Sequence, residues 1–129
     1  MAVAEMTPPD MLPNILSGPL PIGKYDIVGK HPHIPIKEIS ILSGSRILFI
    51  TPGPDIRATY TMSATGDAIF PSLNKKDIEA LKTEFPKYFN DKTIVKLDCA
   101  TEGSALAIVF SNGEDIYYSH QAALLPFNV

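Results

Sequence analysis

Residues 105–119 read ALAIVFSNGEDIYYS, and the fold expectation is built outward from this stretch. Asn112-Gly113 is the strongest short hairpin signal in the chain, because a tight turn between twisted strands needs positive φ and these residue types supply it at little cost. Ahead of the turn, Ala105, Ala107 and Val109 share one face of a strand, and Leu106, Ile108 and Phe110 share the other. A strand apolar on both sides is predicted to be central, covered by a helix on one face and by further chain on the other. Beyond the turn, Asp115 to Ser119 forms the returning strand.

Two similar units lie upstream. Ile36 to Leu42 and Arg46 to Thr51 flank Ser43-Gly44 and read as a hairpin, and Ile56 to Met62 turns through Gly66-Asp67 into Ala68 to Phe70. In the second unit Ile56, Ala58, Tyr60 and Met62 alternate with Arg57, Thr59 and Thr61, the pattern of a half-buried strand. Thr51-Pro52-Gly53-Pro54 between the units must be a loop. Between these hairpins and the last comes one helix. Asn74 or Ser72 can cap it, Asp77 suits its first turn, and Ile78, Leu81 and Phe85 recur at helical spacing up to Pro86. Thr93 to Leu97 adds a strand, and Gln121 to Val129 closes the chain with room for one helical turn before Pro126.

This order predicts an α+β fold, an antiparallel β-sheet built from hairpins with one main α-helix packed on a face. Seven of the 12 prolines fall in residues 1–35, which therefore read as an extended proline-rich arm, with residues 36–129 as a single α+β domain. Met11, Leu12, Ile15, Leu16, Leu20 and Ile22 make the arm too apolar to leave in water, so it packs on its own domain or on a neighbouring subunit.

Composition narrows the function. In 129 residues, no apolar run reaches the roughly 20 residues of a membrane span, and Met1 to Asp10 lacks the basic start and apolar core of a secretion signal. Cys99 is the only cysteine, which fits a reducing compartment, and the chain reads as a soluble cytoplasmic protein. The net charge is −3, and residues 97–129 carry Asp98, Glu102, Glu114 and Asp115 with no lysine or arginine. That acidic third argues against nucleic acid, whose phosphates need a concentrated basic surface; it could suit a basic protein partner, but reads first as a solvated acidic edge.

Candidate chemistry is sparse. His31-Pro32-His33 places two imidazoles at i and i+2, which on an extended segment project to one side, and His120 or Asp98 could complete a three-ligand metal site. Three histidines in a chain of this size are ordinary, so they read as exposed loop histidines and no metal or other cofactor is assigned. Cys99 reads as a buried small apolar residue and not a nucleophile, and Glu114-Asp115 as turn formers and not acid/base catalysts. Glycine-rich phosphate loops and the Gly-x-Ser-x-Gly elbow are missing. Tyr117 and Tyr118 put one ring on each face of the last strand, where they could line an interface.

The resulting expectation is a non-catalytic protein-binding domain with the character of inhibitors, immunity proteins or regulatory modules, acting on a protein partner or by self-association as a homo-oligomer. Its binding residues are His31, His33, Tyr117, Tyr118 and His120. Two alternatives stand beside it: a small-molecule binder or small enzyme with a sheet-helix pocket holding His31, His33, His120 or Cys99, and a structural subunit assembled through its arm.

Overall fold

The computed structural model describes residues 20–94, 96–100 and 104–121. Eight strands follow one another: β1 Gly23–Ile27, β2 Glu38–Leu42, β3 Arg46–Ile50, β4 Ile56–Met62, β5 Ala68–Ser72, β6 Leu97–Cys99, β7 Ala105–Val109 and β8 Asp115–His120. Each pairs antiparallel with the next, and β1 pairs with β8, so the sheet closes into an up-and-down barrel.

Alternation explains why the sheet closes. Partners directly opposite in an antiparallel pair point to the same side, so register carries the inward face from strand to strand. The chain of partners Tyr25, Ile39, Phe49 and Ile56 runs across β1 to β4, and Ile108 meets Ile116 across β7 and β8. Tyr25, Ile39, Ile41, Ile47, Phe49, Ile69, Leu97, Leu106, Ile108 and Tyr118 are buried almost completely in one core. Eight strands leave an interior just wide enough for such side chains to fill. Lys24, Asp26, Glu38, Arg46, Arg57 and Asp115 are among the outward positions, which they share with apolar Leu48, Phe70 and Val109 and with Tyr117. Among the described residues no helix is long and apolar enough to cross a membrane.

The single described α-helix, α1 Lys75–Glu84, begins as the sequence requires: the Asn74 side chain accepts a hydrogen bond from the Asp77 N–H. Its apolar stripe does not cover a sheet face. Leu81, Phe89 and Ile94 are buried in the barrel core, and Tyr88 and Phe89 meet Phe110 edge-on at ring-centroid distances of 5.8 and 5.7 Å. Phe110 directly follows β7, so the helical insertion between β5 and β6 stoppers one end of the barrel. Among the described residues the β5–β6 seam beside it is short, with the pairs Ala68–Asp98 and Ile69–Leu97 and a hydrogen bond from the Cys99 N–H to the Asp67 carbonyl.

The opposite end is crossed by the chain leading into β1. Leu20 is buried and its N–H donates to Tyr60 Oη, Tyr25 Oη donates to the Pro21 carbonyl, and His120 Nε2 lies 3.0 Å from the Ile22 carbonyl.

The α+β expectation of a sheet with one main helix on a face is therefore corrected to a closed eight-stranded β-barrel. The inner wall of a closed barrel alternates like the buried face of an open sheet, so local pattern does not distinguish them. β1 was hidden among prolines and glycines, in a segment read as arm. β7 is not covered on both sides either, since Val109 on its outer face is half exposed. Residues 1–19 of the arm and 122–129 of the tail lie outside the described residues.

Candidate functional site

Barrel closure separates the residues singled out in the sequence into three places. Tyr118 and His120 point into the barrel. Tyr118 Oη donates to the Ile36 carbonyl at 2.7 Å, and burial raises its pKa far above the ordinary phenol value. The His120 ring lies against Tyr25 near the strapped end, with centroids 4.6 Å apart and the planes tilted by 36°. Burial, with smaller contributions from Tyr60 and Cys99, likewise raises the Tyr25 pKa. Cys99 shares this inward face through its pairing with Leu106, and burial first, then the charges of Asp98 and Asp67, pushes its thiol up to about 12. A thiol so poised stays protonated and makes a poor nucleophile. These groups are packing and strapping elements.

Tyr117 points the other way and is 52% exposed on the outer wall. It pairs with Ala107 on β7, and its carbonyl accepts from the Val28 N–H just after β1. Val28 beside Tyr117, and Val109 one step along β7 from Tyr117's partner Ala107, thus place three exposed residues with apolar surface close together on the outer wall, Val109 itself facing Asp115. Beside them lies a depression of about 150 Å³ lined by Asp98, Cys99, Ala100, Ala105, Leu106, Ala107 and Tyr117. The flanking acids are mostly engaged: Lys24 lies 3.9 Å from Asp26, Lys96 3.9 Å from Asp98, and Tyr117 Oη 3.4 Å from Asp115.

His31 and His33 occupy the β1–β2 loop at the stoppered end. They sit on a turn and not on an extended segment, since the Ile34 N–H donates to the His31 carbonyl. Lys37 Nζ steadies the turn through the Pro32 carbonyl at 2.7 Å. The residue that joins them is Glu114: His33 Nε2 lies 3.1 Å from Glu114 Oε2, and one ligand atom from each of His31, His33 and Glu114 falls within 4.8 Å of the others. His33 is the largest cause of the lowered Glu114 pKa, followed by the Asn112 amide.

His120 and Asp98 do not complete this cluster: His31 and His33 lie at one barrel end and His120 and Cys99 toward the other, so the two pairs line no common pocket among the described residues. Glu114 escaped the sequence reading because its place after Asn112-Gly113 already accounted for it as a turn former. Compared with protein-family models, curated proteins and solved structures, the chain matches none.

Proposed function

We propose that this barrel is a non-catalytic binding module that acts by contact with another protein, in a reducing compartment such as the cytoplasm. The observation that carries the reading is the exposed group of Val28, Tyr117 and Val109 on the outer wall. Closure leaves no sheet edge between β1 and β8 for strand addition, so a partner must be gripped by outward side chains. Tyrosine is suited to that use because it offers a large rigid contact with a polar tip. The interior supports the same reading: its tyrosines and cysteine are engaged in packing and held neutral by burial. The weight falls on this group and not on the acidic C-terminal third, whose Asp98 and Glu114 have partners on this chain.

A photo-crosslinking amino acid placed at position 117 tests this in the native host, with position 59 on the outward face of β4, four strands around the barrel, as control. One defined protein adduct from 117 and none from 59 is the expected result. Equal labelling from both positions, or no protein adduct from either, would sink the reading.

A further inference from the structure

The stoppered end of the barrel holds a donor set that its hydrogen bonds do not fully use. Closure of β1 against β8 lays the loop after β1 beside the turn before β8, and His31, His33 and Glu114 converge where the two meet. A tetrahedral metal with nitrogen and oxygen ligands at about 2.1 Å holds neighbouring donors about 3.4 Å apart. The His33–Glu114 pair stands at 3.1 Å already. The widest separation in the trio, within 4.8 Å, closes by small rotations of side chains at the surface.

The surroundings are those of a supported site. Asn112 Nδ2 donates to Glu114 Oε1 at 2.7 Å, while Asn112 Oδ1 accepts from the Glu114 N–H, so the carboxylate is held from behind with Oε2 turned toward His33. Outer partners of this kind orient metal-binding carboxylates and tune their affinity. The His33 ring rests 6.1 Å from Tyr88. Gly29, at φ +87°, leaves the space that His31 Nε2 uses: a Cβ there would come within 3.1 Å of it. Against these, Lys30 and Lys37 line the same loop and oppose a cation, so one carboxylate and two imidazoles must suffice.

We propose that His31, His33 and Glu114 bind a zinc ion that clasps the β1–β2 loop to the β7–β8 turn and leaves a fourth position open to solvent. Two imidazoles and one carboxylate select a borderline transition-metal ion over calcium or magnesium, which prefer all-oxygen cages. Binding puts the metal in place of the hydrogen between His33 Nε2 and Glu114 Oε2: the neutral ring then carries its proton on Nδ1, and a ring that starts protonated gives one proton up to solvent. Side-chain exposures of 49% at His33 and 35% at Glu114 leave the open position within reach of water or of a partner's ligand.

The test is zinc titration of the full, tag-free chain, followed by calorimetry and native mass spectrometry, with thermal unfolding in parallel. One zinc per chain is expected, with a higher Tm that excess chelator reverses and that calcium does not reproduce. His33→Ala and Glu114→Gln should each lose the stoichiometric zinc and its Tm increment while keeping the wild-type strand spectrum in chelator. Asn112→Ala should retain the site but weaken it about tenfold or more. If the wild type takes up no stoichiometric zinc at tens of micromolar, or if all variants bind it as well as the wild type, the proposal is overturned. Either result leaves the crosslinking test at position 117 untouched.

Discussion

His33 and Glu114 stand 81 residues apart in the chain and 3.1 Å apart in space. What joins them is the pairing of β1 with β8: with Ile27 opposite Tyr118, the loop leaving one strand must run beside the turn entering the other.

That pair has a pH signature. His33 and Asn112 depress the Glu114 pKa, so the carboxylate contributes stability above the unfolded carboxylate range and loses it as pH falls through the depressed value. In chelator, the Tm difference between wild type and Glu114→Gln should favour wild type at pH 6 and shrink steadily below about pH 4. A difference independent of pH would remove the carboxylate from the account.

Tyr60 accepts a hydrogen bond from the Leu20 N–H at 2.8 Å, within a buried setting. Tyr60→Phe leaves that donor without its partner and should cost about 1–3 kcal/mol in urea unfolding. A neutral result would mean that water reaches Leu20 and that this end of the barrel is open.

Gly23 has φ +140°, and a Cβ there would sit 2.8 Å from His120 Nε2. Gly23→Ala should therefore destabilise by about 1–3 kcal/mol, from backbone strain together with the clash. Combined with His120→Ala, the loss should be smaller than the sum of the single losses, because without the imidazole the new Cβ meets no clash and only the backbone strain remains. Additive values would assign the whole effect to the backbone.

Phe110 carries the stopper. Its ring meets Tyr88 and Phe89, and it is 1% exposed. Phe110→Ala should cost about 3–5 kcal/mol of stability and expose the helix amides to hydrogen exchange ahead of the strands.

Cys99, pushed up to about 12 chiefly by burial, should react with a thiol-specific alkylating reagent at pH 8 about a thousandfold more slowly in the folded protein than in denaturant. Rapid labelling of the native chain would reopen it as a nucleophile.

Residue order alone determined most local elements, although the strand expected over Thr93 to Leu97 is a turn at Thr93 and Ile94, with β6 beginning at Leu97. The hairpin strands β2 with β3, β4 with β5 and β7 with β8 follow from alternation and from turn glycines, of which Gly44, Gly66 and Gly113 all take positive φ. The helix and its Asn74 cap follow from spacing and from the short polar side chain that starts it. The inward set Ile56, Ala58, Tyr60 and Met62 was legible for the same reason, since period two is a property of the strand itself. Tertiary structure decided the rest. Whether an alternating face looks onto a helix or onto its own barrel is settled by how the twisted strands meet, and β1, five residues in a proline-rich flank, carries no mark of its pairing with β8. The candidate site divides along the same line. His31 and His33 were visible as a pair, whereas Glu114 joined them only when closure brought a distant turn to their loop, because contact across 81 residues is written in the register of the barrel and in no local pattern.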